Sequence, residues 1–198
     1  MEKITWKPGN MLYPVPAVMA TCGCYEKPED EDRCNVITVA WTGTVCSDPA
    51  MTYISVRPER YSYSLLKETG EFVINLTPRR LLRAADTCGV LSGRDLNKFR
   101  RCHLTLQTAS AVKAPLLADS PVNLECRITQ VLPLGSHDMF LAKVVAVDVA
   151  AEYFVAEVVT VRAVAMHDFA QHAVADERGD QHLEPVEAAV FHKHERHA

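Results

Sequence analysis

The stretch from Val122 to Val149 decides the fold class. It reads VNLECRITQVL (122–132), then a break at LGSH (134–137), then MFLAKVVAVDV (139–149). Both runs are rich in β-branched and aliphatic residues without helical spacing, and a glycine among short residues is typical of a hairpin loop. The pattern therefore predicts two long antiparallel strands joined by a hairpin.

Further strands are predicted upstream of this hairpin. The runs VITVAW (36–41), MTYISV (51–56) and EFVINL (71–76) are β-branched or aromatic and are separated by turn residues such as Asp48-Pro49. A regular alternation of strands with helices would indicate a doubly wound sheet. The sequence shows no such alternation after residue 120. The fold class is therefore predicted to be mainly β, an antiparallel barrel with flanking helices.

Three helices are predicted outside the sheet. The first covers residues 60–69 and ends at Gly70, which stands where a left-handed residue closes a helix. The second is RRLLRAADTC, opened by Thr77 as N-cap with a proline behind it and ended at Gly89. The third is short, capped by Asp95, and runs through Lys98 and Phe99.

Composition and charge exclude several classes of protein. The chain has 198 residues, 48% of them hydrophobic, and a formal net charge of -4. A negative charge argues against a nucleic-acid partner or an anionic membrane surface. No apolar run approaches the roughly 18 residues that span a bilayer. The opening MEKITWKPGN has no apolar segment and is not expected to be a secretory signal.

The cysteines indicate a reducing compartment. There are seven of them, at irregular spacings: 22, 24, 34, 46, 88, 102 and 126. An odd number without an export signal predicts reduced thiols and a cytoplasmic location. The close pair Cys22 and Cys24 is compatible with metal or redox chemistry, but without a second pair or a nearby histidine we interpret it as apolar filling of a strand. No metal site is predicted.

Common catalytic motifs are absent from the sequence. It contains no GxGxxG, no GxxxxGK[ST], no GxSxG and no HExxH. This argues against a Rossmann dinucleotide site, a phosphate-binding loop, a serine hydrolase and a zinc protease.

One segment suggests an anion site. A strand ending at Arg57 is followed by a helix start that carries Ser62 and Ser64. A helix N-terminus offers unpaired N–H groups, and an arginine adds a bidentate donor, so together they can hold a phosphate. The alternative is that Arg57 and Arg60 are surface charges and the serines only cap the helix.

Motifs along three-quarters of the chain, from Met11 to Tyr153, resemble the flavin reductase-like family with the FMN-binding split-barrel fold, in particular its flavoredoxin-type members. They occur in the family's order: YPxP (13–16), NVITVAW (35–41), CSDP (46–49), SVR (55–57) with RYxY (60–63), FVIN (72–75), SGRD (92–95) with KF (98–99), APL (114–116), LEC (124–126) and LGSH (134–137). Each is weak by itself, whereas nine of them in order make a specific signal.

The resemblance implies a six-stranded antiparallel split β-barrel that forms a homodimer with FMN near the subunit interface. In such a protein the flavin-binding residues are expected to be Thr38, Ala40, Trp41, Thr42, Cys46, Ser47, Ser55, Val56, Arg57, Tyr61, Ser62, Tyr63, Ser92, Arg94 and Lys98. His137 is expected near the nicotinamide or the flavin edge and is the candidate catalytic residue. The alternative is a hairpin histidine that only packs or caps a turn.

The resemblance also implies a reaction. The leading hypothesis is an NAD(P)H-dependent flavin reductase, in which hydride transfer between two stacked rings requires no catalytic triad. A second hypothesis is a flavoredoxin-like electron carrier that passes electrons from bound FMN to a redox partner protein. A third is a degenerate module that keeps the fold and has lost the flavin.

The C-terminal part departs from the family. A domain boundary is predicted at residue 162, and residues 163–198 are polar and contain six of the eight histidines. We interpret them as a solvated, partly disordered tail, with adventitious metal binding as the alternative. The tail is either a divergent end or the product of a shifted reading frame.

Overall fold

A computed structural model describes residues 1–155 and 158–159 of the chain. These residues are organised around one antiparallel sheet of seven strands. Its strands are β1 (Val18–Gly23), β2 (Cys34–Val39), β3 (Thr42–Ser47), β4 (Ala50–Val56), β5 (Glu71–Leu76), β8 (Val122–Pro133) and β9 (Asp138–Val149). They lie in the order β2-β1-β5-β8-β9-β4-β3, and every neighbouring pair is antiparallel. The predicted mainly β, antiparallel fold class is confirmed, with seven strands where six were predicted.

The long hairpin curves the sheet. Strands β8 and β9 pair from Val122 opposite Val149 to Pro133 opposite Asp138, as the sequence predicted. Their register shifts between Glu125 and Cys126 and again two residues farther along β8. An extra residue in one strand bends it and increases its twist, so the hairpin wraps around the core instead of lying flat.

The core lies inside this curved sheet. Phe72, Phe140 and Ile54 are completely buried there, and Leu66 covers them from helix α1 (Tyr61–Thr69). Burying a side chain of this size stabilises the fold by roughly 1.5–3 kcal/mol. The first helix is therefore held on the sheet by its apolar side, and its N-terminus is fixed in place.

A second apolar cluster covers the outer side of β1 and β2. Helices α2 (Leu82–Val90) and α3 (Lys98–Cys102) pack there, with Cys88 and Phe99 buried against Met19 and Val36. These two helices bring the loop between them next to the end of β2. Three segments distant in sequence, the β2 strand, the α1 start and the α2–α3 loop, therefore meet at one place.

One predicted helix end is confirmed by the structure, and two predicted N-caps are wrong. Gly70 closes α1 with a φ of 69°, as predicted. Thr77 is not an N-cap, because a short 3-10 turn (Arg79–Leu81) intervenes and α2 begins only at Leu82. The cap of α3 is Asn97 rather than Asp95, since the Asn97 side chain accepts a hydrogen bond from the N–H of Arg100.

Short elements complete the described chain. They are a 3-10 turn at Pro28–Arg33, the pair β6 (Leu106–Gln107) and β7 (Leu116–Leu117), a 3-10 turn at Ala151–Tyr153, and the pair β10 (Phe154–Val155) and β11 (Val158–Val159). No helix in the described residues is long and apolar enough to cross a bilayer. The predicted boundary at residue 162 and the His-rich tail lie outside the described residues.

The seven cysteines are all free. Cys22 is buried within β1, and burial raises the pKa of its thiol to about 12. A thiol with so high a pKa is almost entirely protonated at neutral pH and is a poor nucleophile or metal ligand. This agrees with the interpretation of Cys22 as filling of a strand.

Candidate functional site

A small cavity of about 180 Å³ opens where β2 and β4 end. Its wall is continuous because the N–H of Ser55 donates to the carbonyl of Trp41, at 2.9 Å, and links the two strand ends. Five of its ten lining residues are apolar, namely Ile37, Val39, Ala40, Trp41 and Val56, and the others are Thr38, Ser55, Arg57, Arg60 and His137. A planar apolar group fits such a wall better than an ion does.

A large cavity of about 530 Å³ adjoins the small one and shares Ile37, Arg57 and Arg60 with it. It lies between the end of β2, the start of α1 and the α2–α3 loop. Its remaining lining residues are Asn35, Glu59, Tyr61, Ser62, Leu91, Ser92, Gly93, Arg94 and Lys98. The N-terminus of α1 forms one wall, where the first backbone N–H groups have no partner within the helix.

The large cavity is strongly cationic. Among its lining residues in the described chain, Arg57, Arg60, Arg94 and Lys98 are cations and Glu59 is the single carboxylate. Glu59 accepts from Arg57 at 3.4 Å, and both side chains are largely exposed, so this ion pair contributes little. The excess of positive charge, together with a helix N-terminus, favours an anionic ligand.

Two of these cations are held in fixed positions. Lys98 is buried, and its Nζ donates to the carbonyls of Val36 at 2.9 Å and Cys88 at 2.8 Å, which leaves its third proton free. Burial lowers the pKa of Lys98 from its usual value. Arg94 donates to the carbonyl of Glu59 at 2.8 Å, and its guanidinium lies 5.8 Å from the centre of the Tyr61 ring.

A glycine sets the shape of the large cavity. A Cβ on Gly93 would clash with the Asn35 amide and would lie 2.7 Å from Cδ1 of Tyr61. Asn35 itself is buried and donates to the hydroxyl of Ser62, which is also buried, at 2.8 Å. The close approach at Gly93 is therefore what allows the α2–α3 loop to reach the start of α1.

His137 lines the small cavity beside Trp41. It stands at the end of the β8–β9 hairpin, where its ring centre lies 4.3 Å from that of Trp41, tilted by 45°. The Ser136 hydroxyl is 3.0 Å from its Nδ1. Burial and the nearby Arg57 lower the pKa of His137, so the imidazole is mostly neutral at pH 7.

The structure brings most of the sequence-predicted site residues to these two cavities. Thr38, Ala40, Trp41, Ser55, Val56, Arg57 and His137 line the small cavity. Tyr61, Ser62, Ser92, Arg94 and Lys98 line the large one, together with Arg57. Residues from five separate stretches of sequence therefore converge.

Four predicted residues lie elsewhere. Thr42 bonds to the Tyr53 carbonyl at 2.6 Å within the β3–β4 pair. Cys46 and Ser47 are in the far half of β3, and Tyr63 faces the core, with its hydroxyl 2.6 Å from Asp138. The strand predicted over residues 36–41 ends at Val39, and Thr42, Cys46 and Ser47 belong to the next strand, β3, which pairs with β4.

Other lining residues were not singled out from the sequence as flavin-binding. They include Asn35, Ile37 and Gly93, and Arg60, which was weighed as a surface charge. The position of Arg60 directly before a helix was an available signal, since cations and N–H groups there attract the same ligand. Asn35 carried no signal, because its role depends on the distant Ser62.

Comparison with known proteins places this site in a family. The sequence model of the flavin reductase like domain matches residues 10–171 of the chain. The chain belongs to the flavin reductase-like family. An uncharacterized protein of Archaeoglobus fulgidus is 33% identical over 133 residues, covering 67% of this chain and 71% of the relative.

Several solved structures share the fold. Flavoredoxin of Desulfovibrio vulgaris (Miyazaki F) superposes with a TM-score of 0.68 and 25% identity, covering 78% of this chain and 80% of that one. An FMN-binding protein from Thermus thermophilus with bound 1-cyclohex-2-enone gives a TM-score of 0.63 and 21% identity, covering 75% and 78% of the two chains. The resemblance seen in the sequence is confirmed.

Proposed function

We propose that this family member binds FMN in the joined cavities and acts as an NAD(P)H-dependent flavin oxidoreductase. The observation that carries the proposal is the pairing of a small apolar cavity with a large cationic one across shared residues. FMN has the matching shape, with a planar ring at one end and a phosphate at the other. The similarity in fold to a flavoredoxin and to an FMN-binding protein supports the same assignment.

The cationic cavity would hold the phosphate. Arg57 and Arg60 stand where the two cavities join, and the free proton of Lys98 and the Ser62 hydroxyl line the same cavity. Charge-assisted hydrogen bonds of this kind contribute about 1.5–3 kcal/mol each when they are well formed. The residues present therefore fit a phosphate monoester.

The small cavity would hold the flavin ring. Ile37 and Val56 offer apolar contact, and the bent backbone at Ala40 and Trp41 offers polar groups at the edge of a planar ligand. When bound, FMN supplies the hydride and single-electron chemistry of the reaction. The chain excludes water from one side of the ring and leaves the side toward His137 accessible.

His137 would act at the mouth of the small cavity. A neutral imidazole can donate at one nitrogen and accept at the other, so it can hold a proton near the substrate without adding positive charge. Its contact with the Trp41 ring fixes its orientation. We assign it the role of positioning the nicotinamide of NAD(P)H.

The proposal extends to the assembly and its setting. We propose a homodimer, following the family resemblance, and residence in the cytoplasm, following the seven free thiols. Light scattering tests the dimer, because a mass near that of one chain at micromolar concentration would contradict it.

An absorbance spectrum of the purified protein tests flavin binding directly. It is recorded from about 300 to 550 nm before and after addition of FMN and desalting, where oxidised flavin has its usual bands. Retained bands would support the proposal, and steady-state oxidation of NADH and NADPH with FMN would then establish the electron donor. A protein that neither retains FMN nor uses it as a substrate would contradict the proposal.

A second candidate function is electron transfer without a nicotinamide reaction. It is favoured by the similarity to flavoredoxin and requires a redox partner protein. The two candidates differ in one measurement. Rapid bleaching of bound FMN by NADH or NADPH supports the reductase, whereas bleaching only by a reduced protein donor supports the carrier.

A further inference from the structure

Two cysteines lie beside the buried amine of Lys98. Cys88 is buried on α2, and its carbonyl accepts a hydrogen bond from the Nζ of Lys98 at 2.8 Å. Cys102 is the last residue of α3 and follows Lys98 by four positions. Residues four apart on a helix lie on the same face, one turn from each other. The bond that joins Lys98 to α2 therefore also turns Cys102 toward α2.

The thiols of these two cysteines are in contact. Cys102 is half-buried and packs against the apolar cluster in which Cys88 is completely buried. The two side chains share a hydrogen bond, and both cysteines are free thiols. A disulfide requires two cysteines at close approach, and contact between their side chains meets that requirement. The pair can therefore be joined by oxidation.

The two cysteines differ in exposure, which gives them different roles in such a reaction. Cys102 is reachable from solvent, whereas Cys88 has no exposed surface. Burial is the main cause that raises the pKa of the Cys88 thiol to about 12, so this thiol is protonated at neutral pH and shielded from an oxidant. Cys102 is therefore the thiol that meets an oxidant first, and Cys88 is the thiol that reacts with the product.

We propose that Cys88 and Cys102 form a reversible disulfide when the protein meets hydrogen peroxide, and that this bond weakens phosphate binding in the large cavity. In the first step the Cys102 thiol takes one oxygen from the peroxide and becomes a sulfenic acid, and water leaves. In the second step the Cys88 sulfur attacks the Cys102 sulfur, the S–O bond breaks, and the hydroxyl leaves as water with the Cys88 proton. Two thiols and one peroxide thereby give one disulfide and two waters, and a reducing thiol restores the pair.

The disulfide acts on the large cavity through the α2–α3 loop. The two cysteines bracket five residues that line this cavity: Leu91, Ser92, Gly93, Arg94 and Lys98. A disulfide holds its sulfurs about 2.05 Å apart, closer than any contact between unbonded sulfurs, so α3 must shift toward α2. Lys98 is one turn from Cys102 and moves with it, which disturbs its hydrogen bonds to the carbonyls of Val36 and Cys88. The effect on ligand binding rests on the proposed function, which puts the phosphate of FMN in this cavity.

Mass spectrometry of the full chain treated with hydrogen peroxide tests the bond itself. Trypsin releases Cys88 in the peptide 84–94 and Cys102 in the peptide 102–113, and neither peptide contains another cysteine. We expect the two peptides to be linked, with the loss of two hydrogen atoms, and to separate again in dithiothreitol. Peptides that stay unlinked, whatever other cysteine is oxidised, would overturn the inference and leave the proposed function standing.

Titration of flavins before and after peroxide treatment tests the effect on the large cavity. Cys102→Ser removes the accessible thiol, and Cys24→Ser is the matched control, because Cys24 is also half-buried and lines neither the small nor the large cavity. Oxidation should weaken FMN binding about fivefold in the unaltered chain and in Cys24→Ser, the loss expected when one charge-assisted hydrogen bond is misplaced. FMN affinity should not change in Cys102→Ser, and riboflavin, which has no phosphate, should bind equally before and after treatment in all three proteins.

The outcomes separate the inference from the proposed function. A linked pair with unchanged FMN affinity would overturn the effect on the large cavity while the proposed function stands. Equal weakening of FMN in Cys102→Ser would assign the effect to another oxidised residue and overturn the inference. A linked pair in a chain that binds no flavin would overturn the proposed function, and with it the effect on phosphate binding, while the disulfide stands.

Discussion

Replacement of Arg57 by alanine should separate phosphate binding from ring binding. The Arg57 side chain is 48% exposed and is bonded only weakly to Glu59, at 3.4 Å, so it is available to a ligand. A hydrogen bond to a charged group contributes about 1.5–3 kcal/mol, and partial exposure puts this one at the lower end. Loss of about 1.5 kcal/mol weakens FMN binding about tenfold.

Riboflavin provides the internal comparison for this variant, because it has the same ring and lacks the phosphate. We expect its dissociation constant to change by less than about twofold, the residual effect of one lost wall contact. Calorimetric or fluorescence titration gives the dissociation constants of FMN and riboflavin for the unaltered chain and for Arg57→Ala. The change in the FMN constant is then compared with the change in the riboflavin constant. Arg83→Ala, an exposed arginine of α2 that lines none of the cavities, controls for the loss of one positive charge.

Two results would refute the assignment of Arg57. Equal weakening of FMN and riboflavin would mean that the arginine shapes the pocket without touching a phosphate. An unchanged affinity for FMN would mean that the phosphate lies nearer Lys98 or Arg94, at the other end of the large cavity.

Three further changes have defined outcomes. FMN affinity should fall as pH rises from about 7 to about 10, because burial lowers the pKa of Lys98 and a neutral amine no longer attracts the phosphate. Riboflavin affinity should stay level over the same range. Titration of both flavins across this pH range tests the prediction. Tyr63→Phe should lower the free energy of unfolding, measured in urea, by about 1 kcal/mol, because the hydrogen bond to Asp138 is lost. FMN affinity should not change, and a large loss of affinity would instead place Tyr63 in the site. Glu125→Gln should lower stability by roughly 2 kcal/mol in thermal unfolding, since the buried carboxylate accepts from the N–H and hydroxyl of Ser110 and from the two following N–H groups; an unchanged midpoint would contradict this.

The strands that could be predicted from the sequence are those with continuous runs of β-branched and other apolar residues. EFVINL was placed at its observed bounds (Glu71–Leu76), and the long hairpin within one residue at its ends, because runs of β-branched residues pack well on a pleated sheet. β3 was missed because TGTVCS is half-exposed and weakly hydrophobic. Its strand conformation comes from pairing with β4.

The helix starts show the same limit. Thr77-Pro78 has the composition of a helix start, yet the chain makes a 3-10 turn first, and the Thr77 hydroxyl is buried without a hydrogen-bond partner among the described residues. Asp95 and Asn97 are both good caps by type. Only the path of the loop decides that Asn97 lies over the free N–H groups of α3.

The site residues also fall into a group that could be predicted from neighbouring residues and a group that could not. Arg57 and the hydroxyls at the start of α1 could be linked from the sequence because they are neighbours in the chain, and a strand end followed by a helix start is a local arrangement. Thr42, Cys46 and Ser47 could not be placed the same way, since they belong to β3, whose position depends on its pairing with β4.

The sequence by itself therefore determined the mainly β fold, the family and the local pieces of the site, because periodicity, turn residues and ordered motifs all act over short distances. The tertiary structure decided which cations face one another and which are buried. Lys98 is a surface residue by type, yet its Nζ is bonded to the carbonyl of Val36, 62 residues away, and its charge is fixed inside the site. Such a position depends on the approach of segments far apart in sequence, and no local pattern contains it.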